Sequence, residues 1–302
     1  MHGDLVSSWS VTMQGKTVLV TGGNTGIGKA TAIGLGKRGA RVVFTARDPA
    51  KGEAAAHEIR AETGAEVTPM LLDLASFASV EAFAADFRER FAELHVLVNN
   101  AGLILSKRAE TTEGFEATLG VNHLGHFLLT ELVLDRLQAS APARIVVVSS
   151  AAHHRSRGLD FDDLQSRCRY GSYRVYADSK LANLYFVREL ARRLQATGVT
   201  VNAVHPGVVA SDFAADGDTG GPLRWFYQVA KPLLRTPGEG AETTLYVATA
   251  PELEGVTGEY FANCRRARPS RVARDDQAAR RLWQVSAELV AAARGHHGSQ
   301  HA

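Results

Sequence analysis

The sequence predicts the α/β class: one domain built on a doubly wound parallel sheet of about seven strands, with helices on both faces. Three observations predict it. Short runs rich in Val, Ile and Leu recur without polar alternation, as strands buried on both faces require. Longer helical patterns separate them, a βαβ series whose right-handed crossovers put helices on both sides of a sheet. The first strand-to-helix turn is rich in glycine. The chain has 302 residues, 45% of them hydrophobic, enough for one large core. No internal Pro-, Gly- or Ser-rich linker divides it, so one domain is expected over residues 15–294, with an extension at 1–14 and a disordered tail at 295–302.

The first strand, Thr17–Thr21, runs into T-G-G-N-T-G-I-G at Thr21–Gly28, and a helical stretch follows at Lys29–Lys37. Gly22, Gly26 and Gly28 permit a tight turn and a close approach of a pyrophosphate to backbone N–H groups at a helix N-terminus. Asn24, Thr25 and Ile27 share that turn and are read with it as cofactor-binding. A glycine pattern alone is weak; the strand before it and the helix after it make this a Rossmann-type dinucleotide site. The second strand, Arg41–Thr45, ends beside the position that selects the dinucleotide. An acid there would accept from both adenosine ribose hydroxyls of NAD. Ala46 is neutral, and Arg47 after it has the planar fork that suits a 2′-phosphate, so NADP(H) is favoured. Asp48 keeps NAD(H) possible if the strand runs further than the pattern suggests.

A helix is expected over Pro49–Glu62, a third strand over Val67–Leu72 and a helix over Ser76–Ala92. Asp73 ends that strand, where it could accept from the adenine amino group, with Leu74 beside it. The fourth strand, Val96–Asn99, leads into Asn100, Ala101 and Gly102. Gly102 would let the backbone approach the adenosine ribose, and Asn100 would stabilise the central sheet; all three are counted as cofactor-binding. The helix expected over Thr112–Leu137 carries Asn122, with His123 next to it and His126 one turn on. A third ligand at metal spacing is missing, so those histidines are read as packing or capping groups and no metal site is expected. The fifth strand, Arg144–Ser149, is followed by Ser150, and the helix over Tyr173–Ala196 carries Tyr176 and Lys180 one turn apart on one face. A free phenol has a pKa of ~10, too high for an efficient base at neutral pH, and a neighbouring ammonium would favour the phenolate. The sixth strand, Thr200–His205, leads to Pro206, Gly207 and Val209; a helix at Glu239–Thr249, a strand at Glu259–Ala262 and a helix at Asp275–Ala293 complete the series.

Two long connections, Ala151–Ser172 and Pro206–Pro237, leave the carboxyl ends of strands, where open α/β sheets bind ligands. The second holds Trp225, Phe226 and Tyr227, which suit either an apolar substrate lid or a loop packed onto the domain. His153 and His154 in the first are read as solvated loop residues near the site. The net charge of +2, from 34 basic and 32 acidic residues, gives no general pull toward nucleic acid. The basic run Arg265–Arg274 is read as a solvated surface segment. Cys168 and Cys264 form no CxxC pair, against a disulfide framework or structural zinc. Residues 1–14 lack a signal-peptide pattern, and no run reaches the roughly 18 apolar residues of a membrane span, so a cytoplasmic protein without a membrane anchor is expected.

Over Gly15–Ala262 the chain resembles the short-chain dehydrogenase/reductase family. The resemblance rests on T-G-x-x-x-G-I-G at Thr21–Gly28, N-N-A-G at Asn99–Gly102, V-N-H-L-G-H-F at Val121–Phe127, V-S-S at Val148–Ser150, Y-x-x-x-K at Tyr176–Lys180 and H-P-G at His205–Gly207. Phrases such as N-T-G-I-G-K-A-T-A, A-R-D-P-A-K-G-E and S-K-L-A-N are similar to its retinol-dehydrogenase-like and WW-domain-oxidoreductase-like branch. The resemblance implies Tyr176 as general acid/base, Lys180 contacting the nicotinamide ribose, and Asn122 positioning a water that links Lys180 to solvent. It implies Ser150, rather than Ser149, as holder of the substrate oxygen, and Pro206, Gly207 and Val209 beside the nicotinamide. The implied activity is NADP(H)-dependent interconversion of a lipophilic alcohol and its ketone or aldehyde, in a homodimer or homotetramer. The alternative is an NADP-binding sensor or scaffold without turnover, against which the intact Ser150, Tyr176 and Lys180 weigh.

Overall fold

The computed structural model describes residues 12–207 and 235–298. Within them a single sheet has eight strands in the order β3-β2-β1-β4-β5-β6-β7-β8. The strands are β1 Thr17–Val20, β2 Arg41–Ala46, β3 Val67–Leu71, β4 Val96–Asn99, β5 Ala143–Val148, β6 Val199–His205, β7 Tyr260–Ala262 and β8 Arg265–Arg266. The first seven pair in parallel. The order reverses between β1 and β4, and at such a switch point a doubly wound sheet opens a crevice at its carboxyl edge. Apolar side chains from the two faces of the sheet fall into two separate core clusters, so β1 and β4 are buried throughout. That double burial is the physical cause of the unbroken apolar runs.

The helices are α1 Gly26–Gly36, α2 Pro49–Thr63, α3 Phe77–Arg90, α4 Gly125–Ala139, α5 Ser172–Arg193, α6 Pro237–Thr249 and α7 Asp276–Gly298. Their ends are written locally. Asp48 caps α2 by accepting from the Ala50 and Lys51 N–H groups, and Gly64 ends it in the left-handed region at φ +67°. Ser76 caps α3, and Thr236 with Glu239 forms a capping box on α6. α7 lies across α4 and α5: Trp283 meets Phe127 edge-on at 4.8 Å and stacks on Phe186 at 5.9 Å, and Ser286 meets the buried His123 at 2.8 Å.

Four elements differ from the sequence expectation. α1 begins at Gly26 rather than Lys29, so the last glycines of the turn already form the first helical turn. The helix expected from Thr112 begins at Ala117, because Gly114 turns left-handed at φ +81° and the Glu116 carboxylate caps the Thr118 and Leu119 N–H groups. It then passes through a π-helical segment, Gly120–Leu124, before α4. Strand β8 was not expected: two exposed arginines carry no apolar signal, and the hairpin depends on positive φ at Asn263 (53°) and Cys264 (56°). The last helix continues to Gly298, so residues 295–298, expected in a disordered tail, are helical.

Candidate active site

The glycine turn crosses the carboxyl edge of the sheet. Gly22 and Gly26 have φ of +64° and +54°, which L side chains rarely adopt. Gly28 is required for a different reason: a Cβ there would lie 2.2 Å from the Gly22 carbonyl oxygen and 2.6 Å from Asn100 Nδ2. The turn therefore packs its own helix against itself. Thr25 stands at the N-cap of α1 without a side-chain cap hydrogen bond, and no acid lies in the first turn. Asn24, Gly26, Ile27 and Gly28 thus frame a helix N-terminus with neither a side-chain cap nor an acid in its first turn, the arrangement that fits a pyrophosphate.

β2 ends at Ala46, leaving Arg47 exposed just past the edge. Asp48 belongs to α2, where its Oδ1 accepts the Ala50 N–H at 2.8 Å. Asp48, the acid named for an NAD site at this edge, thus caps α2 through one carboxylate oxygen. On the next strand, the Asp73 carboxylate accepts the Ala75 N–H at 2.9 Å, and its own N–H donates to Ser79 Oγ. Leu74 is 5% exposed and packs against α4, where a Cβ on Gly125 would lie 2.5 Å from the Leu74 carbonyl oxygen.

Residues Asn99–Gly102 connect this cofactor crevice to the reacting groups. Asn100 Nδ2 donates to the Thr21 carbonyl at 2.9 Å, and the Asn100 and Ala101 N–H groups donate to Thr21 Oγ1 at 2.9 and 3.0 Å. Asn100 thus ties β4 to β1, as expected, and also lies against Gly28. A Cβ on Gly102 would sit 3.0 Å from Asn122 Oδ1 and 3.4 Å from Lys180 Nζ. Its missing side chain makes room for the catalytic-side residues, in addition to any approach to a ribose. Asn122, 0% exposed in the π-helical segment, accepts the Leu103 N–H at 2.8 Å through Oδ1; its Nδ2 donates to the Leu103 carbonyl and to Ser179 Oγ, both at 2.9 Å.

Ser150, Tyr176 and Lys180 come together at the carboxyl end of β5. The two serines divide their tasks. Ser149 Oγ is buried and donates to the Lys180 carbonyl at 2.8 Å, holding α5 to β5. Ser150 Oγ accepts the Ala152 N–H at 3.1 Å and hydrogen-bonds the Tyr176 phenol. Lys180 Nζ donates to the Val148 carbonyl at 3.1 Å and lies 5.6 Å from the centre of the Tyr176 ring. Burial pushes the Tyr176 phenol up to about 12, against a smaller downward pull from the Ser150 hydrogen bond. Burial also brings the Lys180 ammonium down to about 8. The lowering of the phenol expected from Lys180 is not among the effects acting on it here: desolvation leads, and Tyr176 holds its proton at neutral pH.

Sequence reading missed the hub beneath these groups. Thr21 Oγ1, already accepting from Asn100 and Ala101, lies 2.9 Å from His126 Nε2. His126 is buried, neutral with a pKa lowered to about 3 by desolvation, and its Nδ1 faces the Asn122 carbonyl at 3.4 Å. His123 points away toward Ser286 of α7, so the two histidines form no ligand pair. Ser179 Oγ donates to the Tyr176 carbonyl at 2.8 Å while meeting Asn122. Thr21 and His126 stand in sequence motifs, but nothing in the spacing marks their contact with each other or that of Ser179 with Asn122, because these partners are far apart along the chain. Pro206 is buried and Gly207 turns at φ +87°, beside Arg235. Val209 and the aromatic residues of the expected lid lie outside the described residues.

A family model described as short chain dehydrogenase matches residues 16–220. Retinol dehydrogenase 12 of Homo sapiens is 50% identical over 282 residues, covering 93% of this chain and 88% of that protein. Retinol dehydrogenase 13 of Homo sapiens is 46% identical over 290 residues, 92% of this chain and 86% of that protein. Among solved structures, a protein from Mycobacterium Paratuberculosis superposes with a TM-score of 0.75 at 35% identity, over 92% of this chain and 94% of that one. The RhlG/NADP active-site complex of Pseudomonas aeruginosa gives a TM-score of 0.68 at 26% identity, over 84% of this chain and 96% of that one.

Proposed function

The chain belongs to the short chain dehydrogenase family and is an oxidoreductase of CH–OH donors, and from that premise we propose that it is an NADP(H)-dependent enzyme interconverting a lipophilic alcohol and its aldehyde or ketone, with Tyr176 as the proton donor and acceptor. The observation that carries this reading is the hydrogen bond between Tyr176 and Ser150, with Lys180 buried beside them at the carboxyl end of β5.

The residues present fit a nicotinamide dinucleotide: an uncapped helix N-terminus behind a glycine turn that no Cβ obstructs, and a crevice at the sheet's switch point. That cofactor supplies or takes the hydride and, when oxidised, brings positive charge to the site. The chain's own residues do the rest. Tyr176, protonated at neutral pH, donates to the oxygen of a bound carbonyl as negative charge develops there. The Ser150 hydroxyl, already directed at Tyr176, holds the same oxygen and orients it. Lys180 brings a positive charge beside the phenol, which favours the phenolate needed in the oxidising direction.

Arg47 past a strand that ends at a neutral residue favours NADP(H), since Asp48 is engaged in capping α2. The likeness to retinol dehydrogenases and to a protein solved with NADP supports a lipophilic substrate and this cofactor. A panel of lipophilic aldehydes and ketones with NADPH oxidation as readout tests the reading. If no member of the panel is reduced, or if Tyr176→Phe is as active as the natural chain, the reading fails.

A further inference from the structure

Two histidines that the chemistry above leaves unused converge on one peptide bond. His153, expected in a solvated loop after β5 but 0% exposed because it packs against Tyr260 and Ser270, places Nδ1 2.6 Å from the Ser150 carbonyl oxygen. Its Nε2 accepts the Ser270 N–H at 3.1 Å. A backbone N–H only donates, so Nε2 is the bare nitrogen, and Nδ1 carries the proton and donates to Ser150. His205, at the end of β6, accepts at Nδ1 from the Ala151 N–H and from the Gly207 N–H, each at 3.3 Å. Its proton is therefore on Nε2.

The Ser150 carbonyl and the Ala151 N–H belong to the same peptide unit. One imidazole holds that plane by its oxygen and the other by its N–H. The plane sets ψ of Ser150, 155°, and with it the backbone from which Oγ reaches Tyr176. We propose that His153 and His205 are positioning residues that clamp the Ser150–Ala151 peptide and so aim the Ser150 hydroxyl at Tyr176 and the substrate oxygen.

The clamp joins three segments that meet only in the folded chain. His205 ties the serine loop to Gly207 after β6, and His153 ties it through Ser270 to the segment between β8 and α7. The His153 ring is wedged at 4.0 Å from His154 and edge-on to Tyr260 at 5.2 Å, which restricts its rotation. Burial lowers both imidazoles to about 4, so the accepting nitrogens stay bare at neutral pH.

The kinetic consequence rests on the oxidoreductase reading; the geometry does not. Long-range 1H–15N spectra of the full chain read both tautomers without turnover. His153 is expected as the Nδ1–H form and His205 as the Nε2–H form, and the opposite tautomer at either ring overturns the clamp. For the kinetics, His153→Gln can offer an acceptor to Ser270 but leaves the Ser150 carbonyl without its donor, whereas His153→Asn keeps a donor near Nδ1. Because misplacing a reacting group by about 1 Å costs up to about 100-fold, kcat is expected to fall about ten-fold in His153→Gln and less than about three-fold in His153→Asn, at unchanged cofactor Kd. In a Ser150→Ala background neither substitution should cost anything further. An equal loss with and without Ser150, or a His153→Gln enzyme with unchanged kcat, overturns the positioning role. If the natural chain reduces no carbonyl, the proposed function fails, while the tautomers still decide the clamp.

Discussion

At the scale of single residues, the proposed function turns on Tyr176. General acid–base groups contribute roughly 10²–10⁴-fold, so Tyr176→Phe is expected to lower kcat by about that factor while the cofactor Kd, measured by NADPH fluorescence, stays the same. Arg47 and its neighbour make a second, opposed pair of expectations. Arg47→Asp should weaken NADPH far more than NADH, because a 2′-phosphate loses a cation and meets an anion. Asp48→Ala should leave that preference alone and instead lower unfolding stability by about 1 kcal/mol, the usual worth of an N-cap. A preference that follows Asp48 rather than Arg47 in isothermal titration would reverse the cofactor assignment. Tyr176, Lys180, Ser150 and Arg47 were all visible in the sequence as residue types at telling positions. The electrostatic balance between Tyr176 and Lys180 was not, because it depends on how deeply each is desolvated, and burial is a property of the packed site.

At the scale of elements, the glycine turn and the loop after β4 act as one unit. A side chain at residue 28 would collide with the backbone of residue 22, and neither can move without disturbing Asn100. Gly28→Ala is therefore expected to lose NADPH binding by at least an order of magnitude and to unfold at a lower denaturant midpoint, by the 1–3 kcal/mol typical of overpacking. Normal NADPH affinity in that variant would mean the turn does not approach the cofactor as its geometry implies. The elements the sequence misplaced share one trait. The start of the helix bearing Asn122, the π-helical segment and β8 are set by a left-handed glycine, a side-chain cap and a pair of positive-φ residues, none of which alters apolar periodicity. Asp48 and Ser76, by contrast, announce their helices because the cap lies next to what it caps.

For the molecule as a whole, two core layers and α7 bury His123, His126 and His153 and half-bury His205, and all four are neutral: His123 and His126 lowered to about 3, His153 and His205 to about 4. Desolvation is the first cause for each. The unfolded chain binds protons at these rings near pH 6.5, the folded chain only near pH 3 to 4. Stability therefore rises with pH between those limits and is lost as pH falls from 6.5 toward 4. Urea midpoints measured across that window should drop steadily, and the drop should shrink in His123→Gln, which removes one of the four rings. A flat profile would contradict the burial of these rings. α7 matters here because it closes over His123, Phe127 and Phe186 through Trp283 and Ser286.

The sequence by itself determined the class of sheet, the glycine turn and the one-turn spacing of Tyr176 and Lys180, because each of these is encoded by neighbours along the chain: apolar period, glycine spacing, a helical turn; the choice of Ser150 came from the family resemblance. The tertiary structure alone decided which serine faces the phenol, that Asp48 caps α2, that Gly102 clears space for Asn122 and Lys180, and that His153 and His205 grip one peptide. Those outcomes depend on contacts between segments as far apart as Ser150 and Ser270, and a hydrogen bond across such a span exists only once the sheet has brought its strand ends to one edge.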